Sequence, residues 1–317
     1  ASARGTDLGE QRVSARETYE RLKGELTGDV RMNEPMARHT TFRIGGPADL
    51  FITCDTLTDL SASLGACIDA GLEWTVVGKG SNLLVSDEGY RGAVIVLGRG
   101  FKAHSVQGAD IKAGAACILA YVVRDAFSRG LGGMEFAVGI PGTVGGALAM
   151  NAGTRGAWMQ SVVESVTVYV PGSGLDRLRG SEIGWGYRSS GLAERGVIVE
   201  TVLQLEQADK VRIRAEMERS LDRRKTSQPL GVPSAGSVFR NPEGDSAGRL
   251  IEAAGLKGTR LGGARISELH ANFIVNEGGA TAADVVGLIR KTQMTVRDTY
   301  GIELTPEIRL LGSFVTA

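Results

Sequence analysis

A chain of 317 residues with 42% hydrophobic composition exceeds one ordinary domain and carries enough apolar material for two or three. Its 36 basic and 36 acidic residues cancel, which excludes the cationic field of a nucleic-acid binder or a protein held on an anionic membrane, so any anionic ligand must be held by local donors. There is no apolar run near the ~18 residues of a membrane span and no signal-like start, and Cys54, Cys67 and Cys117 form no C-x-x-C pair; these features point to a cytoplasmic protein whose cysteines are small core residues, with no metal site.

In chain order, residues 7–27 are charged and helix-compatible, and Asn33-Glu-Pro35 breaks that pattern, so a peripheral N-terminal helix is expected over 1–30. The stretch Thr41–Ile52 reads as a strand interrupted by Gly45-Gly-Pro47. Leu57, Leu60, Leu64 and Ile68 recur at helical spacing, followed by a strand at 74–77, the loop Gly78-Lys-Gly-Ser-Asn82 and a strand at 93–97. That order makes an α/β unit whose loop lies at the carboxyl end of a strand, where ligands bind. A helix is expected over 117–129, and alternating strands at 161–170 and 197–205 suggest a half-solvated antiparallel sheet. The charged helix 209–224 leads into a second α/β unit, with a helix near 246–254, a strand near 271–275, a helix over 282–298 and a final strand within 302–311.

Two loops invite a cofactor. Gly78, Lys79, Gly80, Ser81 and Asn82, leading into Leu83, present bare backbone N–H groups with a hydroxyl, an amide and an ammonium, which suits a pyrophosphate. The spacing matches neither a Walker A loop nor G-x-G-x-x-G. The second loop contains Gly139, Ile140, Pro141, Gly142, Thr143, Gly145 and Gly146, and Asn151, Ala152 and Gly153 follow it. Seven glycines in the 22 residues from 132 to 153 are costly to freeze, and a planar ligand lying on bare backbone explains them. FAD needs both a diphosphate cradle and a flat wall.

The segments Thr40–Gly46, Gly78–Leu84, Gly139–Gly146 with Met150–Gly153, Tyr187-Arg188, Gly236–Pro242 and Pro306-Glu307 occur in an order that resembles the UDP-N-acetylenolpyruvoylglucosamine reductases, from about residue 36 to 312. The short segment Ser189–Val197 after Arg188 lacks room for a substrate-closing tyrosine insertion, so the resemblance is to the second, short-loop type. It implies a fold of mixed α/β and α+β character: a two-part FAD-binding domain of the vanillyl-alcohol-oxidase (PCMH) type over 31–207, split near 97, an α/β substrate-binding domain over 208–300, and a strand over 301–317 returning to the FAD domain. It further implies non-covalent FAD bound by the two loops with Thr41 and Gly45, NADPH as co-substrate, a UDP-sugar substrate, a monomer, and a place in peptidoglycan precursor synthesis, hence in cell shape and division.

By the same resemblance Arg188, Ser237 and Glu307 are catalytic and converge on the flavin, with Ser237 as proton donor and Arg188 with Glu307 stabilising an enolate. Tyr187, Lys225, Gln228, Arg240 and Asn241 are candidate substrate contacts, cations and amides being what a diphosphate and a uracil or sugar require. Taken singly, Arg188 reads as a surface cation, Ser237 as a turn residue and Glu307 as a solvated acid. Two other classes compete. An FAD oxidase of the same fold would need a substrate base and often a His or Cys tether, and neither glycine loop contains His or Cys. A non-catalytic nucleotide-binding module would keep the loops with no need for the three catalytic side chains.

Overall fold

Residues up to 32, 49–78 and 92–222 form one unit of the chain, and residues 33–48, 79–91 and 223–317 form another. The structure, a computed structural model, describes residues 8–154 and 156–314.

Among the described residues, two larger sheets and two two-stranded pairs, Gly153–Thr154 with Ala157–Trp158 and Leu131–Gly132 with Glu206–Gln207, carry the first unit. Strands Asp29–Pro35, Pro47–Cys54, Tyr90–Leu97 and Trp74–Val76 lie in that order in a four-stranded sheet, with Trp74–Val76 parallel to Tyr90–Leu97. An antiparallel five-stranded sheet follows the order Gly174–Arg179, Val163–Val170, Val197–Gln204, Asp110–Gly114, His104–Gln107. Its apolar face supplies Val166, Val168, Leu203, Ile111 and Ala113 to the core. Helix Leu119–Ser128 buries Leu119, Val122, Val123 and Ala126, the i, i+3, i+4, i+7 stripe of an amphipathic helix. Helix Leu57–Asp69 starts at a capping box, Thr56 with Asp59. Helix Leu8–Leu22 buries Ala15, Thr18 and Leu22, and Arg21 pairs with Asp69 at 2.8 Å.

The second unit has its own core, built from Phe42, Ile44, Leu84, Val238, Phe239, Leu250, Ile274, Val285, Leu288 and Val296 among others. Helix Ala282–Tyr300 begins at the capping box Thr281–Asp284 and ends at Gly301, whose φ of 69° suits a left-handed stop. Strand Arg309–Leu311 pairs in parallel with Leu83–Val85.

Two expected strands are shorter than the sequence suggests. Thr41–Gly46 is irregular, because Arg43 (φ 57°) and Gly45 (φ 140°) turn the backbone out of the extended region, and the strand starts at Pro47. Between 302 and 311 only Arg309–Leu311 is regular strand; Pro306 contributes an isolated bridge to Phe239. No helix among the described residues is long and apolar enough to cross a membrane.

Candidate active site

In the first unit, strand Trp74–Val76 delivers the chain to Gly78, where a Cβ would stand 2.6 Å from the Thr143 Oγ1. The two glycine loops therefore meet at Gly78 and Thr143. The Thr143 hydroxyl also accepts the Gly146 N–H at 3.2 Å and caps the short helix Val144–Ala149. The rest of the second loop lies flat on residues 115–119: Gly145 N donates to Ala115 O at 2.8 Å, Val144 N to Cys117 O at 2.9 Å and Leu119 N to Gly142 O at 3.2 Å. A Cβ on Gly145 would approach the Ala115 Cβ to 2.9 Å, and Gly139 and Gly142 have φ of 73° and 129°. Gly139, Pro141 and Gly146 are exposed and Ile140 is half-buried, so the loop offers its outer surface to a ligand.

Asn151 holds the next turn. With φ of 40°, it accepts from Gln160 N at 3.1 Å and donates to Gln160 Oε1 at 2.8 Å and Gly186 O at 3.1 Å. Ala152 N bonds to Ala147 O. Gly153 O accepts from Arg188 Nη1 at 3.1 Å, and the exposed Tyr187 ring lies beside that guanidinium.

In the second unit, Gly80 has φ of 61° and packs against the His39 carbonyl, while its own carbonyl accepts the Thr41 N–H at 3.2 Å. The Thr41 hydroxyl donates to Ser234 O at 2.7 Å. Gly45 packs on Val85, leaving 2.8 Å for a Cβ. Lys79 is exposed and Ser81 half-buried. Asn82 Nδ2 donates to Glu307 O at 3.1 Å, and Leu83 opens the strand paired with Arg309–Leu311.

Ser237 and Glu307 lie on adjacent segments of this unit. Ser237 bridges Phe273, Val238 N donates to Asn272 O at 2.8 Å, and Val238 O accepts the Glu307 N–H at 2.7 Å. Arg240 N donates to Thr305 O at 2.9 Å, and its buried Nε has no hydrogen-bond partner among the described residues. Asn241 Oδ1 accepts from Ala247 N at 3.1 Å, at the start of helix Ala247–Ala253. Lys225 is exposed near the end of helix Lys210–Ser227, and Gln228 follows it half-buried.

The donor chemistry and bare-backbone turns of both loops fit a flavin dinucleotide. Gly78, Gly80 and Gly145 stand where a Cβ would strike a neighbour, so bare backbone is required there. The thiols supply no competing chemistry: burial pushes Cys54 and Cys67 up to about 12 and raises Cys117 as well.

Two residues of this region carry no sequence signal. Asn272 is buried, accepts from Phe239 N at 2.9 Å and returns its amide to Phe239 O at 2.8 Å, fixing the extended segment that carries Ser237. Trp158 lies 5.3 Å from the Arg188 guanidinium. Both contacts join residues about 30 positions apart, beyond any local motif.

Residues 48–175 match the family model described as an FAD binding domain, so this is an oxidoreductase built on a flavin-binding domain, with the mixed α/β fold class expected from the sequence. Residues 228–311 match the model of the UDP-N-acetylenolpyruvoylglucosamine reductase C-terminal domain. The chain is 48% identical over 290 residues to the UDP-N-acetylenolpyruvoylglucosamine reductase of Heliobacterium modesticaldum, covering 91% of this chain and 92% of that one. It is 43% identical over 293 residues to the enzyme of that name in Bacillus subtilis, covering 92% and 97%. The crystal structure of UDP-N-acetylenolpyruvylglucosamine reductase from Thermus caldophilus is similar at 37% identity with a TM-score of 0.78, covering 90% of this chain and 99% of that one. The chain belongs to the UDP-N-acetylenolpyruvoylglucosamine reductase family.

Proposed function

We propose that this protein reduces UDP-N-acetylglucosamine enolpyruvate to UDP-N-acetylmuramate for peptidoglycan synthesis, with NADPH as the reductant and FAD bound non-covalently. Bound FAD supplies the hydride relay between the nicotinamide and the enol ether. The hydride goes to the β-carbon of the enolpyruvyl group, the electron pair it displaces moves onto the α-carbon and its carboxylate, and a proton completes the α-carbon.

The residues of the chain match the demands of that charge. The planar Arg188 guanidinium forks onto a carboxylate, so it stabilises the dianion as it forms. The Ser237 hydroxyl gives the α-carbon its proton; a weak acid suffices because the carbanion is a strong base and the hydroxyl is held in place. Glu307 acts with Arg188 in stabilising the same intermediate. Arg240, whose buried Nε lacks a partner among the described residues, suits an anionic substrate group, and Tyr187, Lys225, Gln228 and Asn241 complete the substrate contacts.

The observation that carries this reading is the stitching of Ser237 and Glu307 to one another through Val238, and of Glu307 to the glycine loop through Asn82. The test is an absorption spectrum followed by single-turnover reoxidation. The purified protein is expected to be yellow, to accept electrons from NADPH, and to be reoxidised rapidly by the enolpyruvyl sugar nucleotide. A protein that is not reconstituted by FAD, or that is reoxidised equally fast by oxygen alone, refutes the proposal.

A further inference from the structure

Arg188 has a φ of 57°, a left-handed backbone that a residue with a Cβ adopts only where its surroundings over-determine it. Those surroundings are specific. The guanidinium carbon lies 5.3 Å from the ring of Trp158 and 5.3 Å from the ring of Tyr187. The two rings are 5.7 Å apart with an interplanar angle of 81°, so they form adjoining walls of a corner around the cation. Arg188 Nη1 donates to Gly153 O at 3.1 Å, and Gly153 is the cross-strand partner of Trp158. A Cβ on Gly153 would fall 2.7 Å from the Trp158 Cα and 2.8 Å from its Cε3, so the indole lies directly on the glycine whose carbonyl holds the arginine. Asn151 ties this turn to Gly186, two residues before Arg188.

We propose that Trp158 is a positioning residue for the reduction: with Tyr187 it forms an aromatic corner that fixes the plane of the Arg188 guanidinium for the substrate carboxylate. The inference deepens the function proposed above and rests on it. An aromatic face attracts a guanidinium and fixes its plane while leaving its charge available to an anion. Tyr187 adjoins Arg188 in a segment with a sequence signal of its own, while Trp158 enters only through the hairpin that places it on Gly153.

The test compares Trp158→Leu and Trp158→Phe in the two half-reactions. Trp158→Leu is expected to slow reoxidation by the enolpyruvyl substrate ~10-fold, the scale of a lost desolvated cation–π contact, while leaving reduction by NADPH unchanged. Trp158→Phe keeps a ring and is expected to restore most of the rate. Trp158→Met serves in place of Trp158→Leu if that variant does not fold, and Tyr187→Leu is read in the Arg188 resonance rather than in rate, because Tyr187 is also a candidate substrate contact. Independently of turnover, the Arg188 Nε–H resonance, assigned with Arg188→Lys, is expected to be ring-shifted in the starting protein and to lose that shift in Trp158→Leu or Tyr187→Leu. Equal loss in both half-reactions, no rescue by phenylalanine, or an unchanged Arg188 resonance overturns the proposal. If the starting protein does not reduce the enol ether at all, the functional reading fails, and the resonance alone decides whether the corner holds the arginine.

Discussion

Replacing Gly80 with alanine asks whether the first glycine loop is shaped for a ligand or is merely a turn. At φ of 61°, the new Cβ would sit 2.2 Å from the His39 carbonyl oxygen and 2.8 Å from the Thr40 Cα. The left-handed backbone costs a residue with a Cβ ~1–2 kcal/mol. The contact with His39 lies roughly 1 Å inside ordinary van der Waals separation, so backbone must move. Overpacking of that kind costs a further ~1–3 kcal/mol. Backbone at 39–41 cannot yield alone, because Thr41 is bonded through its N–H to Gly80 O and through its hydroxyl to Ser234 O. Gly24 provides the control: its φ is 81° but nothing lies within 4 Å of a Cβ there, so alanine costs only the ~1–2 kcal/mol backbone share. Urea unfolding and FAD titration of the apoprotein read the two consequences. Gly80→Ala is expected to lose ~2–5 kcal/mol in total and at least ~10-fold in FAD affinity, and Gly24→Ala to keep wild-type FAD affinity. Equal behaviour of the two variants in both assays would refute the reasoning.

Ser237→Ala should leave flavin reduction by NADPH intact and slow reoxidation by substrate ~10²–10⁴-fold, the usual worth of a positioned general acid; stopped-flow traces in which both phases fall together would make Ser237 structural. Arg188→Lys keeps a cation but loses the fork and its fit in the ring corner, so reoxidation is expected to slow ~10²-fold, comparable to loss of an oxyanion-hole donor, against unchanged NADPH reduction. A variant with full activity removes Arg188 from the chemistry. Asp59 supplies a pH prediction. Burial works to raise its carboxyl, but N–H groups of Thr27, Asp55 and Thr56 and the Thr56 side chain outweigh burial and hold it below the usual carboxylate range. Its contribution is therefore present above the unfolded value of ~3.9 and is lost as pH falls through the lowered folded value. Asp59→Asn sets an amide against those donors and is expected to cost ~2–4 kcal/mol at pH 7, given what buried unsatisfied donors and charged hydrogen bonds are worth. The gap from wild type should narrow in acid; a gap of constant size at pH 7 and pH 3 contradicts the assignment.

What could be read from the sequence was whatever depends on a residue and its near neighbours. Apolar spacing located helices Leu57–Asp69, Leu119–Ser128 and Ala282–Tyr300 to within a few residues, because burial of one face is a periodic demand. The glycine loops were legible because Gly80, Gly139 and Gly142 occupy φ values that few other residues tolerate. Thr41–Gly46 misled for a related reason: β-compatible side chains surround Arg43, and nothing local announces that Arg43 itself turns left-handed. The ring corner at Arg188 was illegible because Trp158 reaches it through a hairpin pairing, and an isolated tryptophan reads as core.

The segments bearing Ser237 and Glu307 show why a site can be specified by motif and still need the whole fold. Neither belongs to a long ladder; each is fixed by isolated bridges, Ser237 to Phe273 and Phe239 to Pro306. What regular strand pairing does not supply there, side-chain amides and a hydroxyl do: Asn272 brackets Phe239, Asn82 holds the Glu307 carbonyl, Thr41 holds Ser234 and Asn276 holds Phe42. Three of these bonds span more than 190 positions of chain. A buried amide that satisfies both backbone groups of one residue fixes that residue's register, and losing it leaves donors and acceptors stranded. Short segments held this way can present their side chains outward, since their backbone groups are satisfied from within the unit rather than by further strands that would cover them.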